Sequence, residues 1–444
     1  MANTAPTSFL SRLGLNRPEL RAWAMYDWAN SAFMTTIIAA VFPVYYSSVA
    51  AVDLPAEVRL TRFSLATTIA LAIVAVISPL LGAVADYAGI KKKMLATFLA
   101  IGVLATADMY FIGRGEWLFA LVLFVVGNIG VSGSFVFYDS LLPHIARHDE
   151  LDRVSSAGSA LGYMGGGLLL AINTLWLLKP AMFGLSGEES AARLSFLSVA
   201  VWWVGFSIPL FRKVPEPPRQ LEPDEDIRAS AWLVAFGRVG ETFRELRVFK
   251  NAFIMLIAFL IYNDGINTII RMAAVYGETL GIPRQHLIAA ILLVQFVGIP
   301  FAFLFGDLAG RIGAKRSVFL ALIVYTGISI VAYSMRSVWQ FYLLAFLVAT
   351  VQGGSQALSR SLFAGMIPRH KSSEFFGFFG VFEKFAGIIG PALFAAVTAA
   401  TGSGRGAILS VIAFFAVGGG FLALVNVPEG QKAAQEADAK ARPT

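Results

Sequence analysis

Twelve apolar runs, each long enough to cross a membrane, divide this chain of 444 residues. A helix needs about 20 apolar residues to span the hydrocarbon core of a bilayer. Six runs precede a polar break and six follow it, at 21–49, 60–85, 92–112, 117–142, 154–178, 192–211, 251–276, 285–306, 316–335, 338–363, 373–400 and 405–426. The pattern predicts an all-α integral membrane protein with twelve transmembrane helices.

The balance of apolar and charged residues excludes a soluble protein. Apolar residues make up 57% of the chain and charged residues only 14%, whereas soluble domains hold about 25% charged residues. Cysteine is absent, which excludes disulfides, a thiolate nucleophile and cysteine-bound metals. The four histidines lie in short polar connections without the spacing of a metal site. We therefore expect no metal and no cofactor.

The sequence lacks the residue patterns that two functional classes, enzymes and nucleotide-driven pumps, would need. An enzyme needs a nucleophile beside a base, or a metal site, and the chain offers neither pattern. A nucleotide-driven pump needs the phosphate-binding pattern G-x-x-x-x-G-K-[ST], which does not occur. The sequence therefore favours a membrane protein that is not an enzyme.

The basic residues indicate how the chain is oriented in the membrane. The net charge of +7 would suit a nucleic-acid partner, but the basic residues lie in short loops between the apolar runs. Of the 35 Lys and Arg residues, 24 fall on the side of the N-terminus and 8 on the opposite side. Cytoplasmic loops carry such an excess. We therefore predict a multi-pass protein of the plasma (inner) membrane with both termini cytoplasmic and no nucleic-acid partner.

The polar break divides the chain into two similar parts. We predict an N-terminal six-helix bundle at 1–211, a cytoplasmic linker at 212–250, a C-terminal six-helix bundle at 251–428 and a cytoplasmic tail at 429–444. Residues 232–249 of the linker have apolar residues at helical spacing with charged residues between them. That spacing is typical of an amphipathic helix that lies on a membrane surface.

An internal repeat relates the two parts. Asp86 and Asp307 stand 221 residues apart in similar surroundings, and the same offset relates Asp139 to Arg360. Asp27 of the first run and Asp264 of the seventh are related by an offset of 237, and the extra sixteen residues fit a longer loop around 53–62. Ordered matches of this kind indicate a duplicated six-helix unit. We therefore predict two pseudo-symmetric six-helix bundles.

The loops around Asp86 and Asp307 resemble a known gate signature. The pattern G-x-x-x-D-x-x-G followed by basic residues resembles the signature of the major facilitator superfamily between its second and third spans. The first copy is complete, whereas Phe303 stands at the leading glycine position of the second. The resemblance implies a major facilitator fold, in which two bundles rock about a central cavity. It also implies a set of gating residues, at Gly82, Asp86, Gly89, Lys91, Lys92, Asp307, Gly310, Arg311 and Lys315.

A closer resemblance covers most of the chain. The segments 26–32, 263–267, 353–361 and 374–378 resemble, in this order, the vacuole-effluxer-like family of autophagy-related permeases within that superfamily. The fungal branch of the family is associated with the release of amino acids from the vacuole. The resemblance therefore implies a permease, with amino acids as the first substrate class to consider.

Polar side chains within the apolar runs are the candidates for substrate binding. A charge at the centre of a span costs about 2.5–3.5 kcal/mol on insertion scales, so such residues usually have a function. Polar residues that recur every three or four positions share one face of a helix. The candidate substrate-binding residues are Tyr26, Asp27, Trp28, Asn30, Asp264, Asn267, Arg271, Gln352, Gln356, Arg360 and Lys384.

The seventh run suggests a site for a zwitterion. Asp264, Asn267 and Arg271 recur along one helix face over about 10 Å. The aspartate could bind an ammonium group and the arginine a carboxylate. The alternative is an ion pair that locks two helices and does not contact substrate. Arg360 leaves two similar roles open, because it could line the cavity or pair with Asp307 or Glu383 at a gate.

These observations favour a secondary active transporter that moves a small polar metabolite by alternating access. An amino acid is the first candidate substrate, and efflux is the expected direction. Asp27 and Asp264 are candidates for proton coupling, because a buried carboxylate can take up and release a proton. The alternatives are a proton-coupled exporter of drugs or sugars with the same fold, or a sensor or channel that does not transport. We expect a monomer that contacts the lipid bilayer and its small-molecule substrate.

Overall fold

The computed structural model of the chain describes residues 9–221, 234–237, 240, 249–279, 282–386, 389–401 and 404–443. Most of the amphipathic helix predicted at 232–249 lies outside these residues. The side chain of Arg271 also lies outside them, so this residue is described only as part of a helix backbone.

Twelve membrane spans, numbered here in chain order, correspond to the twelve apolar runs. They are Pro18–Ala50, Ala56–Ala88, Lys91–Phe111, Trp117–Ile145, Leu151–Leu178, Glu188–Lys213, Lys250–Thr279, Arg284–Ile312, Ala314–Tyr333, Val338–Gly365, 372–401 and 404–424. Within the described ranges, eleven helices are long and apolar enough to cross a membrane. Span 11 is instead divided into Ser372–Phe385 and Ile389–Thr401. The predicted all-α fold with twelve spans is confirmed.

Short connections with helix-ending residues separate the spans. Gly89 ends span 2 with a φ of 65°, a left-handed conformation that glycine adopts without steric cost. Ser337 begins span 10 with a capping box, in which its Oγ accepts a hydrogen bond from the backbone N–H of Gln340 at 3.3 Å. Local sequence therefore sets where these helices end, and the apolar runs set how far they extend.

Span 1 is irregular in its second half. The segments Phe33–Ala40 and Tyr46–Ala50 are π-helical, and the α-helical segment Val41–Tyr45 lies between them. The π-helical turns frequently occur at functional sites. Pro43 in the central segment lacks the N–H that a regular helix would use. The first half of span 1, which carries Asp27, remains a regular α-helix.

The same pairs of helices pack together in both halves of the molecule. In the N-half, spans 1–6, span 1 packs against span 6 and span 3 against span 4. In the C-half, spans 7–12, span 7 packs against span 12 and span 9 against span 10. The halves contact each other through spans 2 and 11 and through span 5 with spans 8 and 10. The fold therefore has the pseudo-symmetry that the repeat predicts.

One end of the bundle holds the two halves together. We call it the basic end, because it carries the basic turn at 89–93 with the connections at 146–150, 313 and 366–371. In the described part of the chain, each hydrogen bond that joins the N-half to the C-half lies at this end. The structure therefore represents a state in which the basic end is closed.

The linker and the tail meet at the same end. A two-residue strand in the linker, β1 (Gln220–Leu221), pairs antiparallel with a two-residue strand near the C-terminus, β2 (Arg442–Pro443). A helix at Val427–Lys440, which we call the tail helix, leads from span 12 to β2. The tail therefore returns along the basic end to the linker.

Candidate functional site

Arg360 joins the two halves through a buried cluster of charges. Its Nη1 donates to Asp139 Oδ1 at 3.1 Å, and its Nη2 donates to Asp27 Oδ2 at 3.3 Å. Arg360 belongs to span 10 of the C-half, whereas the two carboxylates belong to spans 4 and 1 of the N-half. Each of the three residues is less than 10% exposed. The partners of Arg360 are therefore Asp27 and Asp139, and not Asp307 or Glu383 as the gate alternative predicted.

Ser155 of span 5 completes what we call the Arg360 cluster (Asp27, Asp139, Ser155 and Arg360). Arg360 Nε donates to Ser155 Oγ at 2.9 Å, and Nη2 donates to the Ser155 carbonyl at 3.0 Å. The guanidinium also lies over the rings of Trp23 and Tyr138, with its Cζ 5.0 and 5.8 Å from their centroids. Such dense coordination offsets the cost of burying the charges, but only while the halves are in contact.

Gly158 leaves space for this cluster because glycine has no side chain. A Cβ placed on Gly158 of span 5 would lie 2.7 Å from Asp27 Oδ2 and 3.4 Å from Arg360 Nη2. The first distance is shorter than a normal van der Waals contact between carbon and oxygen, and the second is at the short limit of a normal contact between carbon and nitrogen. Glycine at this position therefore lets span 5 approach span 1 where the ion pair forms.

The internal repeat contains a signal for this cluster. Asp139 and Arg360 occupy equivalent positions of the two repeated units, 221 residues apart. Equivalent positions near a pseudo-twofold axis face each other, so opposite charges there predict an ion pair. Ser155 carries no comparable signal, because a serine within a span usually bonds to its own helix.

The first gate signature forms a second buried contact between the halves. The Asp86 carboxylate accepts hydrogen bonds from Lys91 Nζ and from the backbone N–H groups of Ser373 and Glu374, the latter two at 3.2 and 2.9 Å. These N–H groups belong to the first turn of span 11, where a helix lacks internal acceptors and favours a negative charge. Asp86 of the N-half therefore caps a helix of the C-half.

Serine side chains extend this contact. Lys91 Nζ donates to Ser372 Oγ and Ser373 Oγ at 2.8 and 3.1 Å. The same hydroxyls contact span 4, where Ser372 Oγ donates to the carbonyl of Ser140 and Ser373 Oγ donates to its hydroxyl, both at 3.0 Å. We call Asp86, Lys91, Ser140, Ser372 and Ser373 the Asp86 cluster. No pattern in the sequence marks the three serines as site residues, since serine is common near helix ends.

The second gate signature makes different contacts. Asp307 is 46% exposed and pairs with Arg311 on the same helix, at 2.7 Å. Lys315 Nζ donates to the carbonyls of Ala423 and Val425, which end span 12 of the same half. Gly310 approaches Arg153 of the N-half, with 3.1 Å between its built Cβ and Arg153 Nη2. The contacts of the repeat are therefore asymmetric, because in the described part of the chain Asp86 caps a helix of the other half and Asp307 pairs within its own helix.

The linker binds to the turn that follows Asp86. Lys92 Nζ donates to the carbonyl of Val214 at 2.6 Å, and the Lys92 N–H donates to the Glu216 carboxylate at 3.1 Å. Burial raises the pKa of Glu216, and the hydrogen bond from the Lys92 backbone opposes this shift. Arg219 Nε donates to the carbonyl of Tyr87 at 2.6 Å. Lys92 therefore attaches the linker to the N-half rather than to the C-half.

The other candidate residues of span 1 pack inside the N-half. The Tyr26 ring is fully buried and lies 4.9 Å from the Tyr138 ring. Trp28 is partly buried and stacks on Trp202 at 5.8 Å. Asn30 is 1% exposed. Of the four candidates on this helix, Asp27 is the one for which the described residues show a hydrogen bond to the C-half.

The span 7 candidates contact the interruption in span 11. Asp264 is 1% exposed, and its Oδ2 accepts a hydrogen bond from the backbone N–H of Gly390 at 2.9 Å. Asn267 Nδ2 donates to the carbonyl of Ala386 at 3.4 Å. These two residues therefore hold the two ends of the interruption against span 7.

A group of partly exposed polar residues lies away from the basic end along spans 10 and 11. Gln352 and Gln356 of span 10 are partly buried. On span 11, Lys384 Nζ lies 3.8 Å from Glu383 Oε2, and the two side chains are 18% and 42% exposed. Glu383 is not among the substrate-binding residues predicted from the sequence.

Replacing Gly82 with alanine is expected to weaken closure of the basic end. A Cβ on Gly82 would lie 2.3 Å from the carbonyl oxygen of Ser373, so spans 2 and 11 would have to separate. Overpacking costs about 1–3 kcal/mol, which corresponds to a shift of about 5- to 150-fold toward the open state. The matched control is Gly327→Ala, because Gly327 has no atom within 4 Å of its built Cβ.

Distances between introduced labels measure this shift. The chain has no cysteine, so spin labels on Lys93→Cys and Arg316→Cys, both exposed at the basic end, report directly on closure. Double electron–electron resonance should detect a longer distance in Gly82→Ala and no change in Gly327→Ala. Identical distance distributions for the two variants would contradict the steric role of Gly82.

Comparisons with known proteins agree with this architecture. The family model described as "Vacuole effluxer Atg22 like" matches residues 15–435. The uncharacterized MFS-type transporter YxiO of Bacillus subtilis (strain 168) is 38% identical over 413 residues, which cover 92% of this chain and 94% of the relative. Autophagy-related protein 22 of Kluyveromyces lactis is 26% identical over 379 residues, or 78% of this chain and 75% of the relative.

Solved structures of the major facilitator superfamily have the same fold. The human organic anion transporter MFSD10 superposes with a TM-score of 0.72 at 14% identity, covering 91% of this chain and 99% of that one. The proton:xylose symporter XylE has a TM-score of 0.68 at 13% identity, with 98% and 99% coverage. At this identity the likeness concerns the fold alone. The chain is thus a multi-pass membrane transporter of the major facilitator type, and it belongs to the vacuole effluxer Atg22-like family.

Proposed function

We propose that this chain is a secondary transporter that moves a small polar metabolite, in the first place an amino acid, out of the compartment that the basic end faces. Because basic residues are in excess at that end, we infer that it faces the cytoplasm and that the protein lies in the plasma membrane. The observation that carries the proposal is the Arg360 cluster, because it joins the halves by buried charges that can be satisfied in only one arrangement of the two bundles. Such a contact suits one gate of an alternating-access cycle.

The polar residues beyond this gate fit a zwitterionic substrate. Lys384 and Glu383 offer a cation and an anion 3.8 Å apart, and both remain partly exposed. An ammonium group would pair with the Glu383 carboxylate and a carboxylate group with Lys384. Gln352 and Gln356 supply further donors and acceptors on the adjacent helix. Asp264 and Asn267 would act on this site through the interruption of span 11, which they hold.

A proton-coupled exporter of another substrate class is the second candidate. The Arg360 cluster holds two carboxylates for one guanidinium. When the halves separate, Asp27 and Asp139 would remain together in the N-half without Arg360. Two neighbouring carboxylates seldom both stay ionised away from water. Proton uptake at this pair, with Asp27 as the notable candidate, would couple gate opening to a proton gradient and is compatible with drugs or sugars as substrates.

Counterflow in proteoliposomes tests the substrate class. Vesicles are loaded in turn with pooled amino acids, pooled sugars or pooled organic cations. We expect exchange with the amino-acid pool. No transmembrane ion gradient is needed for this exchange. We expect Lys384→Met to lower exchange by about tenfold or more, because a charged hydrogen bond to substrate contributes about 1.5–3 kcal/mol. Asp264→Asn should also lower it, by weakening the contact with Gly390. The matched control is Lys432→Met, since Lys432 is 78% exposed on the tail helix.

The outcomes separate the two candidates. Exchange with the sugar or cation pool alone would reject the amino-acid substrate and leave the transporter assignment intact. The proton-coupled exporter would be favoured if exchange by the unaltered chain depended on an imposed pH gradient and exchange by Asp27→Asn did not. Normal exchange in Lys384→Met would remove Lys384 from the binding site.

A further inference from the structure

The tail of the chain spans the junction between the two halves at the basic end. We propose that the tail helix and β2 form a strap that holds the basic end closed and must detach from one half before that end opens. The proposal rests on alternating access as proposed above, and it adds a regulatory element that lies outside the membrane spans.

The first attachment of the strap is to the C-half. Asn426 caps the tail helix, with its Oδ1 accepting from the Glu429 N–H at 3.3 Å. Asn251, at the start of span 7, accepts from the Asn426 N–H at 2.7 Å and donates to Glu429 Oε2 at 3.2 Å. Gly430 packs closely on Met366, since its built Cβ would lie 2.8 Å from the Met366 sulfur. The start of the tail helix is therefore fixed to spans 7 and 10.

The second attachment is close to the gate itself. Asp438, near the end of the tail helix, accepts a hydrogen bond from the Arg369 N–H at 2.7 Å and lies 3.2 Å from His370 Nδ1. Arg369 and His370 form the short connection before span 11, two to three residues ahead of Ser372. Because Ser372 and Ser373 belong to the Asp86 cluster, the strap restrains the segment that carries one side of the gate.

The tail helix also faces the N-half. A small crevice is enclosed by three parts of the chain: the connection between spans 4 and 5, the end of span 10 and the tail helix. Its lining includes Ala146 and His148 of the first part, Ala364 of the second, and Ala434 and Asp438 of the third. Gly365 of span 10 lies close to Leu151 of the N-half and to Gln431 of the tail helix, at 3.5 and 3.6 Å from its built Cβ. The tail helix therefore lies over the seam between the halves.

The last attachment ties the tail to the N-half. Strand β2 pairs with β1, with Gln220 opposite Pro443 and Leu221 opposite Arg442. The residues just before β1 are held on the N-half by Lys92 and by the Arg219 hydrogen bond to Tyr87. The chain thus leaves the C-half at the end of span 12 and returns to a segment fixed to the N-half.

The geometry makes closure and strap attachment interdependent. A helix of 14 residues is a rigid element about 21 Å long. Both ends of the helix are attached to the C-half, through Asn251 at its start and Asp438 in its last turn. Strand β2, which follows the helix, pairs with the linker segment held on the N-half, so separation of the halves must break either the β1–β2 pairing or the Asp438 and Asn251 contacts. Any partner or modification that detached the tail would bias the transporter toward opening at the basic end.

Label distances test the strap without substrate. The pair Lys93→Cys and Arg316→Cys reports on the basic end, and the pair Arg114→Cys and Arg336→Cys, exposed at the other end, reports on the opposite opening. Asp438→Ala and removal of residues 427–444 should each raise the open fraction at the basic end by about fivefold or more, and shorten the distances at the other end. Glu436→Ala is the matched control, because Glu436 is 62% exposed and pairs only weakly with Lys432 at 3.8 Å.

The results separate the strap from the transport cycle. Unchanged distances in both Asp438→Ala and the shortened chain, or an equal effect of Glu436→Ala, would overturn the strap while leaving alternating access intact. If the shortened chain does not fold, Asp438→Ala alone decides. A single fixed distance at both ends of the unaltered chain, in all conditions, would instead contradict alternating access and the strap with it.

Discussion

Replacing Arg360 with methionine is expected to abolish substrate exchange and to open the basic end. The change leaves Asp27 and Asp139 buried without the guanidinium that joins them across the two halves. Removing one partner of a buried ion pair costs about 3–5 kcal/mol, so the closed state should lose a factor of about 100 or more in population. Counterflow in proteoliposomes measures the first effect, and the label distance between positions 93 and 316 measures the second.

Two controls make this prediction specific. Arg311→Met removes a guanidinium that is 74% exposed and bonded within its own helix, and it should leave both readouts nearly unchanged. Exchanging the charges in a double variant, Asp139→Arg with Arg360→Asp, should recover part of the closure, because the positions face each other across the pseudo-twofold axis. Exchange at the normal rate in Arg360→Met would show that the cluster is not required for the transport cycle.

The second large effect is expected for Asp86→Ala. This change leaves Lys91, which is 3% exposed, without its carboxylate, and it leaves the N–H groups of Ser373 and Glu374 without an acceptor. A buried charge that loses its partner costs several kcal/mol, and each unpaired N–H adds about 1–3 kcal/mol. We expect exchange to fall by at least tenfold and the basic end to open.

The repeat supplies the natural control for this variant. Asp307 is the equivalent residue of the C-half, but it is 46% exposed and bonded to Arg311 of the same helix. Asp307→Ala should therefore lower exchange much less than Asp86→Ala does. Equal effects of the two variants would contradict the asymmetry of the gate. Asp86→Asn should be intermediate, since its amide oxygen still accepts hydrogen bonds but carries no charge.

The fold could be predicted almost completely from the sequence. Apolar runs determine the spans, because a bilayer accepts only segments whose backbone is satisfied internally, and the repeat predicts how they pair. Span 11 is the exception, since it is divided after Phe385. Pro391 disfavours a continuous helix through the preceding turn, but the sequence does not indicate that Asp264 accepts a hydrogen bond from the Gly390 N–H. A contact between a side chain and a distant backbone N–H leaves no pattern in the sequence.

The site was predictable only in part. The signature around Gly82 predicted Asp86 as a gate residue, and the structure shows it in contact with span 11 of the other half. The signature could not distinguish Asp86 from Asp307, because the difference depends on how each aspartate packs in the folded molecule. Arg360 was equally compatible with the cavity and with a gate. Its partners depend on the register between spans 1, 4 and 10, which packing across the whole molecule determines.

The position shared by Asp139 and Arg360 bears on how the chain arose. In a symmetric pair of identical six-helix units, a residue close to the twofold axis would face its own copy. Two aspartates or two arginines there would repel each other, and no choice of a single charged residue could give an attractive pair. The present contact therefore requires two halves whose sequences have diverged at this position. A duplicated gene fused into one chain meets that requirement, whereas a homodimer of identical units could not form the contact between positions 139 and 360.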